Sequence, residues 1–268
     1  MLVHGFPEFW WAWREQIPAL AAAGYRVAAV DLRGFGASDK PPSGYDAPTA
    51  CDDLAAVIRS LGASRAAVVG HGLGAWFTWS MPALRSEVTG AIATFSMPHP
   101  LVFQRAAWRH PLQWRANTYI RAMQTPFAPE RQLSPRRHAV ARRLRDWSGP
   151  DRSWITDEVL TRYEQSMQVP FVATAATEYY RWLYRTRVTL PGWRYLASVR
   201  APIEVPTLLV HGADDPAVLP ALAAESHGHV RGPVQVVTVP GAGHFVPEEA
   251  PAATTELLLG WLSAYHPA

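Results

Sequence analysis

The stretch Ala66-Ala67-Val68-Val69-Gly70-His71-Gly72-Leu73-Gly74-Ala75 constrains this chain more than any other. An apolar, partly β-branched run ends in a glycine-rich turn, and a helical pattern of apolar residues follows from Leu73. That is the strand–turn–helix context of a G-x-S-x-G nucleophile elbow, a sharp corner that lifts one side chain above the end of a sheet. The corner residue here is Gly72, which has no side chain. The frame for an attacking group is present without the group.

The flanking sequence supplies the rest of a sheet. Met1-Leu2-Val3 reads as the end of a strand. Residues 8–23 carry apolar side chains at helical spacing (Trp10, Trp13, Ile17, Leu20, Ala21), and Gly24 closes that helix. Residues 26–30 read as a buried strand and 31–48 as a loop rich in Gly, Pro and Ser. A helix is expected from Thr49, as N-cap, to Leu61, with Leu54, Val57, Ile58 and Leu61 on one face. The elbow strand (66–70) and helix follow, Pro82 is expected to end that helix, and 88–95 reads as another strand. Strand and helix alternating in this way predict a parallel sheet with helices on both faces.

From Met97-Pro98-His99-Pro100 the pattern changes. Up to about Pro191 the periodicity is helical throughout, rich in Arg, Trp and Tyr, with breaks at Pro126, Pro135, Pro150 and Pro170. The sheet resumes at 207–210 and 234–239, and a last helix spans 250–264. The expected organisation is an α/β core of residues 1–97 and 201–268, with residues 98–200 inserted as a helical cap.

Charge follows the same division. Residues 98–200 hold 17 Arg against 7 acids, residues 1–97 hold 7 basic against 8 acidic, and residues 201–268 hold 1 against 7. A basic middle between acidic flanks reads first as a solvated, Arg-rich cap over an acidic body, and second as a face for an anionic ligand or surface. The arginines form no single basic run, and no nucleic-acid motif is present, so no nucleic-acid partner is expected. No apolar run reaches about 18 residues, so no membrane span is expected. Met1–Gly5 lacks the pattern of a signal peptide, and the single cysteine, Cys51, rules out an internal disulfide framework; both suit a cytoplasmic location. The ten histidines include no H-E-x-x-H pair, and no G-x-G-x-x-G loop occurs, so neither a metal nor a cofactor is expected. The partners expected are a small-molecule ligand and, left open, a second copy of the chain.

In a parallel α/β sheet, chemistry collects beyond the carboxyl ends of the strands. His4, Asp31, Gly72, Asp215 and His244 each follow a predicted strand. His244 lies on the glycine-rich loop Gly241-Ala242-Gly243-His244, placed to swing over the elbow as a base. Asp215, in His211-Gly212-Ala213-Asp214-Asp215-Pro216, is placed to fix the tautomer of His244, with Asp214 as competitor. Backbone N–H groups of Phe6 and Leu73 would form an oxyanion hole, which no side chain has to supply. The X-Pro bond at Phe6-Pro7 is one that can be cis.

These segments resemble the epoxide hydrolase branch of the α/β-hydrolase superfamily, over nearly the whole chain. His4-Gly5-Phe6-Pro7 is similar to its H-G-x-P motif, and Asp31-Leu32-Arg33-Gly34-Phe35-Gly36-Ala37-Ser38-Asp39-Lys40-Pro41 to its D-x-R-G-x-G-x-S-D-K-P loop. Gly70-His71-Gly72-Leu73-Gly74-Ala75 resembles the G-H-D-x-G-G elbow, whose Asp attacks the epoxide carbon in the family. Met97-Pro98-His99-Pro100 resembles the family's entry into its lid. Tyr119, with the segment 124–130, and Tyr180, in Glu178-Tyr179-Tyr180-Arg181, resemble the two lid segments whose tyrosines hydrogen-bond the opening epoxide oxygen. The resemblance departs in two places. Gly72 stands where the family has its nucleophile, and the chain begins at what corresponds to the family's third strand, so the first two strands are expected to be absent. The expected function is binding of a small epoxide- or ester-type ligand under the lid, with covalent hydrolysis lost. The alternatives are a His244–Asp215 general-base enzyme (lyase, isomerase or cyclase) that needs no nucleophile, and a non-catalytic binding module.

Overall fold

Along β3 (Ala66–His71) successive side chains turn to opposite sides, as the two-residue period of a strand requires. Val68 enters one apolar core while Ala67 and Val69 enter another. β4 (Thr89–Phe95) repeats the division, with Ala91, Ala93 and Phe95 on the side of Val69 and Ile92 on the other. The sheet is therefore covered on both faces, which is why its strands read as nearly unbroken apolar runs. The computed structural model describes residues 1–133 and 138–266.

Six strands form one sheet in the order β2-β1-β3-β4-β5-β6, every neighbouring pair parallel. β1 is Leu2–Val3, β2 Ala29–Val30, β5 Thr207–Gly212 and β6 Val234–Val239. The register is direct: Val3 opposes Val30 and Gly70, and Phe95 opposes His71 and Val210. α1 (Gln16–Ala22) and α14 (Pro251–Tyr265) cover one face through Leu20, Leu258 and Trp261. α2 (Ala47–Ser60) and α3 (Leu73–Leu84) cover the other through Leu54, Ile58, Trp76 and Phe77.

Several boundaries differ from the sequence reading, each for a local reason. Residues 8–23 form a 3-10 turn (Trp10–Trp13) and then α1, because Pro18 sits in the first turn of a helix, where a missing N–H costs nothing. The N-cap of α2 is Asp46 rather than Thr49; the Asp46 carboxylate accepts the Thr49 N–H at 2.8 Å. Pro82 does not end α3, which continues to Leu84. Residues Leu73–Met81 of that helix are all buried, and packing of this extent outweighs one missing backbone bond near the C-terminus. The 26–30 strand contracts to Ala29–Val30, and a short helix α13 (Val246–Glu249) precedes α14. Gly24 does close α1, at φ +92°, with its N–H on Ala21 O and that of Tyr25 on Leu20 O.

Between β4 and β5 the described residues form helices, α4 (Pro100–Arg109), α5 (Pro111–Ala116), α6 (Thr118–Ala122), α7 (Ala128–Gln132), α8 (Ala139–Trp147), α9 (Asp157–Gln168), α10 (Val172–Arg185) and α11 (Leu190–Ser198), and then an isolated bridge from Ile203 to Val230. The breaks expected at Pro126, Pro150 and Pro170 fall between helices; Pro135 lies outside the described residues. A further short helix, α12 (Ala221–Ser226), follows β5. Among the described residues no helix is long and apolar enough to cross a membrane.

Candidate active site

β3 ends at His71, and the chain turns through Gly72 into α3 at φ +50°, ψ −115°. A residue with a side chain is strained there, by about 1–3 kcal/mol, and glycine relieves that strain. The corner is tight because two other glycines let backbones meet. A Cβ on Gly70 would stand 2.2 Å from Thr78 Oγ1, and one on Gly74 would stand 2.5 Å from the carbonyl oxygens of Val3 and His4. At Gly72 the situation is different. A Cβ there would meet His244 Nε2 at 3.4 Å and Gly5 Cα at 3.7 Å, both ordinary contacts. A side chain at this position would start within van der Waals reach of the imidazole.

His244 is carried by the loop between β6 and α13. Its Nδ1 donates to Asp215 Oδ2 at 2.8 Å, which leaves Nε2 as the atom turned toward Gly72. Asp215 Oδ1 accepts the N–H groups of Ala217 (2.8 Å) and Val218 (2.9 Å), and His211 Nε2 lies 3.1 Å from Oδ2. Burial alone would raise the Asp215 pKa. The charge of His244 and the bonds from both histidines outweigh burial and hold it well below the usual carboxylate range. The competing Asp214 is exposed and directs its backbone N–H to Ala242 O at 3.0 Å. Glu249 braces the histidine loop from beneath: its carboxylate accepts N–H groups from Gly149 (2.7 Å), Gly243 (2.8 Å) and Phe245 (2.8 Å).

The Phe6 side of the site is held by His4. Its Nδ1 donates to Gly5 O at 2.7 Å and its Nε2 accepts the Leu32 N–H at 3.0 Å, so the ring is neutral, and burial lowers its pKa accordingly. The Phe6–Pro7 bond is cis. Among the described residues, neither the Phe6 nor the Leu73 N–H has a hydrogen-bond acceptor. For Leu73 this follows from its place as the first residue of α3.

Beneath the corner lies a second buried pair. His71 Nδ1 meets Glu8 Oε2 at 2.7 Å and His71 Nε2 meets His244 O at 2.8 Å. Both ring nitrogens face acceptors, so both carry protons. Burial opposes that charge, but Glu8 and the His244 carbonyl outweigh it and the His71 pKa is raised. Glu8 Oε2 also accepts the Gly5 N–H at 2.8 Å. One ion pair therefore ties together Gly5, the elbow strand and the His244 loop.

The two tyrosines come from the helical segment between β4 and β5. Tyr180 on α10 packs edge-on to Phe6, ring centroids 5.5 Å apart, and Tyr119 on α6 packs edge-on to Tyr180 at 5.4 Å. Tyr180 is buried and Tyr119 half-buried, and desolvation raises both pKa values, so both phenols keep their protons and can donate them in hydrogen bonds. Trp147 on α8 joins them to the imidazole, 4.6 Å from the Tyr119 ring and 5.2 Å from that of His244, and its carbonyl accepts the His244 backbone N–H at 2.8 Å. Gly72, Leu73, Phe6, His244, Asp215, Tyr180 and Tyr119 thus share one neighbourhood. Sequence reasoning did not single out Glu8, His71, His211, Trp147 or Glu249. The His-x-x-x-Asp spacing of His211 and Asp215 was the one local signal available. Cys51 is elsewhere, buried in α2, where burial pushes its thiol pKa up. No cluster of three or more His, Cys, Asp or Glu suited to a metal occurs among the described residues.

Comparison with known proteins agrees with this geometry. Residues 1–251 match the α/β hydrolase fold family. The chain is 32% identical to the AB hydrolase superfamily protein YfhM of Bacillus subtilis, over 98% of this chain and 89% of that one. It is 31% identical to epoxide hydrolase A of Mycobacterium tuberculosis, again over 98% and 89%. An epoxide hydrolase from an endophytic Streptomyces superposes with a TM-score of 0.83 at 28% identity, covering 98% of this chain and 88% of that one.

Proposed function

This chain belongs to the α/β-hydrolase family, in its epoxide hydrolase-like branch, and from that premise we propose that it binds a small epoxide-, ester- or diol-type ligand without forming a covalent intermediate. Residues 98–200 act as a cap over a core of residues 1–97 and 201–268. The observation that carries the reading is the place a Cβ would take at Gly72, 3.4 Å from His244 Nε2. A carboxylate built from that point would stand beside the base, which is where attack on a strained carbon needs it. Gly72 occupies the nucleophile's place and supplies no atom.

The remaining residues keep their parts. Tyr180 and Tyr119 donate hydrogen bonds to a ligand oxygen, because burial holds both phenols protonated. The Phe6 and Leu73 N–H groups hold a second oxygen. Asp215 keeps His244 oriented with Nε2 toward the ligand. The unmodified chain should bind 1-phenylethane-1,2-diol, read as a change in intrinsic tryptophan fluorescence, and should leave styrene oxide unconverted. Absence of diol binding in the folded protein would refute this reading.

A second reading rests on the intact His244–Asp215 pair, 2.8 Å apart. With Nε2 unobstructed above glycine, His244 can act as a general base on a ligand C–H or on water, with no covalent step. Turnover of any ligand by the unmodified chain that disappears in His244→Ala would favour this second reading over pure binding.

A further inference from the structure

Some arginines of the helical segment are held in ion pairs. Arg181 is held by Glu130 (2.9 Å) and Glu178 (2.6 Å), Arg105 by Glu225 (2.5 Å) and Arg162 by Glu158 (2.9 Å). Arg143, on α8, is different. It has no ion pair among the described residues, although it is only partly exposed. Its Cζ lies 4.4 Å from the Trp147 ring centroid and 5.2 Å from that of Tyr119. Burial lowers its pKa, and Tyr119, Tyr180 and the charge of Asp146 offset this only in part, so the cation is incompletely compensated. A guanidinium nevertheless stays charged. A half-buried cation resting on two aromatic faces, with no ion pair among the described residues, is suited to an anion.

The space for that anion is present. A cavity of about 530 Å³ opens beside Arg143, bounded also by Met123, Leu133 and Tyr119. Arg142 and Asp146 stand on its wall as exposed groups of opposite sign. Tyr119 belongs both to this cavity and to the tyrosine pair, since its ring packs on Tyr180 and Tyr180 packs on Phe6. Tyr119 therefore links this cavity to the Tyr180–Phe6 side of the site.

We infer that Arg143 recognises a carboxylate on the ligand, which spans from this cavity, past Tyr119, to the corner at Gly72. The inference rests on the ligand-binding reading above and narrows it to anionic ligands: a carboxylate at one end, a neutral hydroxyl or ether oxygen at the tyrosines, and a rigid apolar spacer between them. Bidentate contact with the guanidinium fork gives direction as well as charge, which an ammonium would not.

Calorimetric titration of the whole protein with 4-(1,2-dihydroxyethyl)benzoate and with its uncharged parent, 1-phenylethane-1,2-diol, tests this. The carboxylate should bind at least tenfold more tightly to the unmodified chain. Arg143→Gln should abolish that preference while leaving the parent diol within about twofold of its original affinity, and Arg143→Lys should restore the preference in part. Thermal melting of both variants checks that α8 and its aromatic contacts survive. A purely bracing role for Arg143 would weaken both ligands together, and that result would overturn the inference. Equal affinity for the two ligands in the unmodified protein would overturn it too, and would leave the binding site at Gly72 standing. If neither diol binds, the site reading and this inference both fall.

Discussion

Replacing Gly72 by Asp should convert a binding site into a hydrolytic one. The backbone at 72 has φ +50° and ψ −115°, a region that costs a non-glycine residue about 1–3 kcal/mol. Space adds little to that cost: the nearest atoms to the new Cβ are His244 Nε2 at 3.4 Å and Gly5 Cα at 3.7 Å, both at van der Waals range. For a chain of this length about 2 °C of Tm corresponds to 1 kcal/mol, so Gly72→Asp should melt about 2–6 °C below the parent and still fold. Its carboxylate would face the ligand carbon, with His244 and Asp215 ready to activate the water that cleaves the resulting ester. A nucleophile in an intact triad contributes on the order of 10⁶-fold, so an imperfect restoration should still yield about 10³-fold or more over the parent. Styrene oxide hydrolysis, followed by chromatography of the diol, reads the gain. Intact-mass measurement on the double variant with His244→Gln should catch the ester, because the second step is then slowed. A folded Gly72→Asp protein that melts in the expected range, yet neither hydrolyses terminal or internal epoxides nor forms an adduct, would refute the assignment of Gly72 to the nucleophile's place.

Two further outcomes follow from the corner and from the charges beneath it. Gly74→Ala drives a Cβ to 2.5 Å from the backbone oxygens of Val3 and His4, which no rotamer can relieve; a loss of about 3 kcal/mol in urea unfolding is expected, and a loss under about 0.5 kcal/mol would mean that β1 and α3 do not approach so closely. Glu248 is buried against the charge of Glu8, and despite its ion pair with Arg14 its pKa is pushed up to about 8 from an ordinary 4.5. A carboxyl raised on folding stabilises the protein below its unfolded pKa, and that contribution is lost as pH rises through the folded value. Between pH 5 and 8 the parent should therefore lose up to about 1.4 kcal/mol per pH unit that Glu248→Gln does not, measured by chemical unfolding across that range; parallel profiles for the two proteins would contradict it.

The architecture was legible wherever one element's own residues determine it. Val68-Val69, Ala91-Ile92-Ala93 and Leu208-Leu209-Val210 read as buried strands because both faces of the sheet are covered, and no distant residue had to be known. Boundaries were less legible because they turn on single competitions. Asp46 wins the cap of α2 from Thr49 by offering a carboxylate to the Thr49 N–H, and burial of α3 carries it past Pro82. At the site, Gly72 and His244 stood out through glycine-rich turns at strand ends. The residues that hold them there did not. Glu8 meets His71 across 63 positions, His71 meets the His244 carbonyl across 173, and Glu249 reaches Gly149 across 100. Such pairings are written in the topology of the sheet rather than in any local spacing. Trp147 is similar: only the return of α8 over the loop of β6 brings an indole against His244.

The most direct test is the covalent state of the unmodified chain during incubation with an epoxide. Tryptic mass spectrometry after exposure to excess styrene oxide should find the peptide containing Gly72, and the one containing Glu8, at their unaltered masses. An ester-linked adduct on either of them, or on Asp215, that forms and decays with turnover would show that another carboxylate has taken over the attack, and would contradict a site that binds without a covalent step.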